Sequence, residues 1–364
     1  MKARLILPNK NDRKGPILAL IAAALFGASA PLAKLLLNQL SPILLAALLY
    51  LGSGVGLSGW LWLRRSMSAG KSTEARLKRQ DLPWLGSAIL AGGILGPILL
   101  LIGLRVTPAS SASLLLNLEG VFTALLAWFV FKENFDRRIA LGLAAIVAGG
   151  GVLSWAGRPE IGIPWGTIFI AGACLAWAID NNITRKVSSA DPIQIAAAKG
   201  LVAGVVNLFI ALAIGSTIPR VTVITSAALL GLLSYGVSLT LFVLALRHMG
   251  TARTGAYFST APFVGALLSL LILKDHLTIA VVAAAVLMVV GVWLHLTERH
   301  GHEHVHEEME HEHGHSHDEH HQHHDDLALL AQTHTHVHRH EKLRHAHSHY
   351  PDVHHRHEHQ SEAK

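Results

Sequence analysis

Apolar residues fall into ten runs of roughly 20, the length that carries a helix across a bilayer core. The runs cover residues 15–37, 41–63, 82–104, 108–131, 138–156, 164–184, 192–214, 226–246, 254–273 and 277–297. Short breaks carrying charge, glycine or proline separate them. Lipid offers backbone groups no hydrogen bonds, so each run is expected as a helix. The pattern therefore predicts an all-α polytopic membrane protein with ten transmembrane helices.

The fourth and fifth runs recur later in the chain. Sliding the sequence by 142 positions lays Leu104-Arg105 on Leu246-Arg247 and Ala124-Leu125-Leu126 on Ala266-Leu267-Leu268. Lys132-Glu133 then falls on Lys274-Asp275, and Gly149 on Gly291. Earlier in the chain the shift is 150: Ser41-Pro42 and Asp191-Pro192 each open a run with a helix-start pair. The chain reads as two five-run repeats, at 15–156 and 164–297, joined by a linker at 157–163. A cytoplasmic segment at 1–14 precedes them and a His-rich cytoplasmic tail at 298–364 follows. The basic start and Ala28-Ser29-Ala30 imitate a signal peptide. The run is long for one, Pro31 follows the small residues, and the run has a later counterpart.

Charge sets the orientation. With the amino terminus inside, the inner segments before the tail hold 18 Lys and Arg residues and the outer ends hold 5: Lys34, Arg105, Arg158, Arg220 and Lys274. That bias places both termini in the cytoplasm of a multi-pass protein in the plasma or inner membrane. Five crossings per repeat then invert the second repeat relative to the first, a transporter design with its site near the midplane.

Composition adds three points. The formal charge of +6 divides into +13 for residues 1–298 and −7 for the tail. The basic surplus lies in loops, which suits an anionic lipid surface and not nucleic acid. Cys174 is the only cysteine, which excludes a disulfide framework and a Cys-based metal site. There is no GxxxxGK[ST] phosphate loop, so ATP-driven pumping by this chain alone is not expected. No arrangement of residues suggests an enzyme.

The two copies LLLNLEGVFTALLAWFVFKENFDRRIALGLAAIVAGGGVL (114–153) and GAYFSTAPFVGALLSLLILKDHLTIAVVAAAVLMVVGVWL (255–294) carry a family resemblance. With ten runs in two halves, the chain resembles the EamA-type branch of the drug/metabolite transporter superfamily. The resemblance covers about residues 15–297. It implies a ten-helix fold with a central cavity, alternating access, and small organic metabolites as cargo, often moved outward. Members often carry proline in mid-span; Pro262 matches this in the second copy, whereas Gly120 stands in the first. The tail lies outside the family pattern.

Candidate cavity residues are those whose chemistry is costly in lipid. Glu119 falls near the middle of the fourth run, and an intramembrane carboxylate is a functional-site candidate by default. Its alternative is a protonated acid hydrogen-bonded between helices. Asn117, two positions away, faces another side of the helix and is read chiefly as helix-helix glue. Asp180 and Lys199 sit at comparable depths near the inner ends of their runs, so an ion pair is open to them, as is snorkelling of Lys199. Asn181 and Asn182 extend that polar patch. Tyr50, Tyr235 and Tyr257 are candidate cavity aromatics. Gly92 and Gly96 match Ser234 and Ser238 under the 142 shift, small residues that let backbones approach. Pro31, Pro97 and Pro262 are expected to kink their runs.

The tail holds 23 of the 26 histidines. Its His-x-His alternation among carboxylates suits borderline metals such as Zn²⁺, Ni²⁺, Co²⁺ or Cu²⁺. Candidate ligands are His302, His304, His306, His311, His313, His315, His317, His320, His321, His323, His324, His334, His336, His338 and His340. No fixed four-ligand spacing stands out, so a disordered tail with interchangeable weak sites is expected. No cofactor is required for the helical part; a divalent transition metal at the tail is the one candidate. Imidazole must be neutral to bind metal, so tail binding should weaken as pH falls through about 6.5. Only His248, His276 and His295 lie in or beside the runs, all near run ends.

The leading expectation is a secondary transporter, an exporter, of a small organic metabolite or drug-like solute. Its partners are the lipid bilayer, that substrate and divalent metal ions at the tail, with a homodimer as a candidate assembly. One alternative is a transition-metal exporter whose tail collects the ion. The other is a non-transporting membrane metal sensor or buffer.

Overall fold

The computed structural model of the chain describes residues 14–67, 77–131, 137–155, 164–184, 187, 190–296 and, in the tail, 301–306, 309–315, 334–340 and 343–348. Lys132-Glu133-Asn134, the linker at 157–163 and most of the loop after the second run lie outside the described residues, as do His317, His320, His321, His323 and His324.

All ten apolar runs are helical. In order they are α1 (Lys14–Gly27), α2 (Ser29–Leu36), α3 (Pro42–Met67), α4 (Leu82–Ala88), α5 (Gly96–Val106), α6 (Ala109–Leu115), α7 (Leu118–Phe131) and α8 (Arg137–Trp155). The second half has α9 (Trp165–Thr184), α10 (Pro192–Ala213), α11 (Val221–Gly231), α12 (Ser238–Phe258), α13 (Ala261–Ile272) and α14 (Ile279–Leu296). Seven of the resulting helical stretches are long and apolar enough to cross a membrane. Helix α9 has the length, but Asp180, Asn181 and Asn182 occupy its last turns. Trp60, Trp62, Trp155, Trp165 and Trp293 are exposed on the outer surface, as expected for rings facing lipid or its interface.

The helix starts follow from local chemistry. Ser41 Oγ accepts from Leu44 N at 3.3 Å, and Asp191 Oδ1 accepts from Ile193 N at 2.9 Å. Each cap satisfies an amide of the first turn, and the proline that follows it has no N–H to orphan.

The helices are less continuous than the runs suggest. The first run breaks at Ala28, the fourth at Leu116-Asn117, and the ninth at Ser259-Thr260. The third and eighth runs each contain a π-helical segment, Ile89–Leu95 and Leu232–Val237, in equivalent stretches of the two repeats. The three in-run prolines all sit where a helix resumes: Pro31 in α2, Pro97 in α5 and Pro262 in α13. A proline ring cannot continue the preceding hydrogen-bond ladder but is tolerated in a first turn. The turn expected between the eighth and ninth runs is helical instead, because α12 continues to Phe258. No proline interrupts it until Pro262, and that is where the chain breaks.

Helix pairing crosses the two halves. The largest helix-helix contacts join α3 to α10, α8 to α14, α1 to α12 and α5 to α9, with α6 on α13 also extensive. Small residues set these approaches. A Cβ on Gly200 would meet Gly54 N at 2.6 Å and Gly54 Cα at 2.7 Å, so α3 and α10 touch backbone to backbone. Gly200→Leu is therefore expected to destabilise the fold by about 1–3 kcal/mol through overpacking. A lowered unfolding midpoint in detergent would show it, and an unchanged midpoint would contradict the approach.

The tail contains β1 (Gly301–His306), β2 (Met309–His315), β3 (His334–His340) and β4 (Leu343–Ser348). Strands β1 and β4 pair antiparallel, as do β2 and β3. The His-x-His alternation has the period of two that a strand repeats.

Candidate functional site

One group of buried polar residues gathers around the first π-helical segment. At its end the Gly96 amide bonds to Ala91 O instead of Gly92 O. Pro97 has no amide to offer Gly92 or Gly93. Two carbonyls are thus left without helical donors, and buried polar groups need partners. Three side chains from other helices supply them. Tyr50 Oη and Trp177 Nε1 both donate to Gly92 O, at 2.8 and 2.9 Å, and Asn207 Nδ2 donates to Gly93 O at 3.0 Å. The segment therefore binds α3, α9 and α10 to one point.

Asp180 lies against the same glycine, and a Cβ on Gly92 would collide with its carboxylate. Lys199 Nζ donates to Asp180 Oδ1 at 2.7 Å and to Oδ2 at 2.6 Å. Thr184 Oγ1 donates to Oδ1 at 2.8 Å. This carboxylate is neutralised and held on both oxygens.

Glu119 differs. It stands in the first turn of α7, directly after the break at Leu116-Asn117. The positive end of the helix dipole favours a carboxylate there. Asn181 Nδ2 donates to Glu119 Oε1 at 2.7 Å. Among the described residues no basic side chain pairs with Glu119. The next residue, Gly120, has open space where a Cβ would stand. Glu119 and Asn181 thus face each other from the two repeats, and Asn181 adjoins Asp180, which pairs with Lys199 of α10.

An aromatic row links this region to the other half. Tyr50 and Tyr235 have ring centroids 5.5 Å apart, Tyr235 and Phe26 5.9 Å, Phe26 and Phe258 5.5 Å, and Phe258 and Phe242 4.8 Å. Phe26 sits beside the break at Ala28, and Phe258 beside that at Ser259-Thr260. The three breaks also converge. A Cβ on Gly265 of α13 would meet Gly27 O at 2.6 Å and Ser113 Oγ at 2.8 Å.

The sequence candidates therefore separate. Glu119, Asn181, Asp180, Lys199, Tyr50 and Tyr235 come together. Asn117 does not: it is buried, its Nδ2 donates to Leu114 O at 2.9 Å, and Met288 Sδ lies 3.8 Å away on α14. Asn182 turns back onto its own helix, donating to Ala178 O at 2.8 Å. Tyr257 is half-buried and takes no part in the aromatic row among the described residues. Ser234 and Ser238 donate to Leu25 O and Ala22 O, both at 2.8 Å, which ties the second π-helical segment to α1.

Sequence reading missed Trp177 and Asn207 as π-segment partners. It also missed a clasp in which Lys34 Nζ donates to the carbonyls of Leu104, Arg105 (3.1 Å) and Thr107 (2.9 Å), capping α5. Beside it Asp275 Oδ2 accepts from Ser110 N and Oγ, both at 2.9 Å, capping α6 from the other repeat. Among the described residues no three His, Cys, Asp or Glu side chains come together to hold a metal.

Comparison with known proteins follows the same division into halves. The model of the EamA-like transporter family matches residues 13–155 and again 164–297. An uncharacterized transporter of Methanothermobacter thermautotrophicus is 28% identical over 296 residues, covering 77% of this chain and 85% of that protein. The probable 4-amino-4-deoxy-L-arabinose-phosphoundecaprenol flippase subunit ArnE of Pseudomonas aeruginosa is 39% identical over 107 residues, 29% of this chain and 90% of that subunit. The Klebsiella pneumoniae subunit of that description is 38% identical over 78 residues, 21% of this chain and 69% of the subunit. A solved crystal structure, 18% identical, superposes with a TM-score of 0.58 over 77% of this chain and 94% of its own, which is a likeness of fold.

Proposed function

The chain belongs to the EamA-like transporter family, and from that premise we propose that it is a secondary transporter exporting a small organic metabolite or drug-like solute by alternating access. The observation that carries this reading is Glu119. It is a carboxylate without a basic partner among the described residues, at a helix break, where residues of both repeats meet. Nearby Asp180 is neutralised by Lys199, so Glu119 is the group with charge or a proton to exchange. Asn181, Tyr50 and Tyr235 stand with it as substrate-binding residues. A solute with an amine and an apolar body suits a carboxylate beside an aromatic row.

In this reading ten helices cross the membrane as two inverted repeats of five, with both termini cytoplasmic. The pairing of helices supports it. Numbered as ten runs, the second packs on the seventh, the fourth on the ninth and the fifth on the tenth. The first packs on the eighth and the third on the sixth. Exchanging the repeats maps this set onto itself, as a two-fold relation requires. Reporter fusions test the orientation: at Lys71 and at the carboxyl end they are expected to read cytoplasmic, and at Arg158 external. An external carboxyl end would remove the inverted arrangement.

Broken helices suit alternating access, since a turn inside a run lets its two parts tilt separately. The π-helical segments at equivalent places give each half a joint. Export of metal by the helices has less support. His276 lies between α13 and α14, His295 at the end of α14 and His248 at the middle of α12, and the central site offers carboxylate, amide and phenol.

A further inference from the structure

The junction between the third and fourth runs, residues 104–110, breaks at Thr107-Pro108. Two side chains of opposite charge grip it. Lys34 of α2 donates to Leu104 O, to Arg105 O at 3.1 Å and to Thr107 O at 2.9 Å. These carbonyls end α5, where a cation is favoured. Asp275, in the loop between α13 and α14, accepts from Ser110 N and Ser110 Oγ, both at 2.9 Å. Pro108 precedes α6 and has no side-chain oxygen to cap it, so the cap comes from the other repeat.

Three features make this grip releasable. Lys34 and Asp275 are half-buried, so water can replace either partner. Lys274, beside Asp275, holds φ at 55°, a left-handed conformation that costs energy in a residue with a Cβ. The break at Leu116-Asn117 lets α6 tilt without α7. Glu119 lies nine residues beyond Ser110, about 13 Å along the run at helical rise. The gripped junction thus stands between Glu119 and that end of the helical body, the external end when both termini are cytoplasmic. We propose that Lys34 and Asp275 form a clamp on residues 104–110 that closes this end over Glu119, and that its release opens the site. The clamp rests on the transporter reading for its purpose, yet its motion is measured without any solute.

The test uses full-length protein in lipid nanodiscs carrying Cys174→Ala, Val106→Cys and Ile279→Cys, with spin labels on the two new cysteines. Val106 ends α5 in the first repeat and Ile279 opens α14 in the second; both side chains are exposed. Pulsed dipolar spectroscopy reads the ratio of long to short separations. Asp275→Ala is expected to raise it roughly tenfold, the scale of losing a charge-assisted hydrogen bond, and Lys34→Met to raise it as well. Ser110→Ala keeps the amide and should fall between wild type and Asp275→Ala. Ser216→Ala is the control. It removes the Ser41 Oγ–Ser216 Oγ contact of 2.8 Å, which joins the repeats at the same end but between helices already sealed at Gly54 and Gly200. That change should leave the ratio as it is. An unchanged ratio in Asp275→Ala and Ser110→Ala, in protein that circular dichroism shows to be helical, overturns the clamp, as does an equal rise in Ser216→Ala. Should Asp275→Ala not fold, Ser110→Ala, which loses one hydroxyl, decides alone. A ratio that rises while no solute is exported keeps the clamp and removes the transporter reading instead.

Discussion

Glu119→Gln is expected to reduce transport to the level of cells carrying empty vector while the protein inserts and folds normally. The amide is nearly isosteric and retains an oxygen to accept the hydrogen bond from Asn181. No cation loses a partner, because none is paired with Glu119 among the described residues. What disappears is the negative charge and the ability to take and release a proton. A residue whose role is packing would tolerate this change, since its volume and hydrogen bond are kept. A residue that binds an amine or couples transport to protons would not. Glu119→Asp separates the two further by keeping the charge but withdrawing it from Asn181. Wild-type export by Glu119→Gln at every pH tested would reduce Glu119 to a packing residue.

Lys199→Met is expected to give the largest loss of stability. It leaves Asp180 with Thr184 as its donor, in a position where Gly92 already closes on the carboxylate. Breaking a buried pair from one side costs about 3–5 kcal/mol because an uncompensated charge remains. The side chains keep 16% and 8% of their exposure, for Lys199 and Asp180, so the lower part of that range applies. The double change Asp180→Asn with Lys199→Met removes both charges and should recover most of the loss. Unfolding midpoints of the three proteins in one detergent check this. A double variant no more stable than Lys199→Met would mean that the pair's charge is not what the single change exposes.

Much of the scaffold was legible because lipid imposes a simple rule on sequence. Runs such as 192–214 had to be helices, and the paired openings Ser41-Pro42 and Asp191-Pro192 marked starts that the structure uses. The depths of Asp180 and Lys199 left an ion pair open beside snorkelling of Lys199, and the structure forms the pair. The interruptions were harder. Proline signalled that the helix fails near Pro31, Pro97 and Pro262 but not where the failed hydrogen bonds would go. Only the packed structure shows Tyr50, Trp177 and Asn207 supplying Gly92 and Gly93. Asn117, two positions from Glu119 but on another side of the helix, was read chiefly as helix-helix glue, and its amide meets Leu114 O and Met288 Sδ of α14. The His-x-His alternation has the period of two of the short strands at 301–306, 309–315, 334–340 and 343–348.

The most direct test of the account is a comparison of solutes retained and released by a deletion strain carrying empty vector, wild-type protein, Glu119→Gln, or a chain ending at residue 299. Mass spectrometry of cells and medium reads organic solutes, and elemental analysis reads metals. The account predicts at least one organic solute that accumulates in the empty-vector cells and leaves cells carrying the wild-type or the shortened chain, but not those carrying Glu119→Gln. Organic solutes unchanged among all four strains, with metal content the only difference, would contradict it.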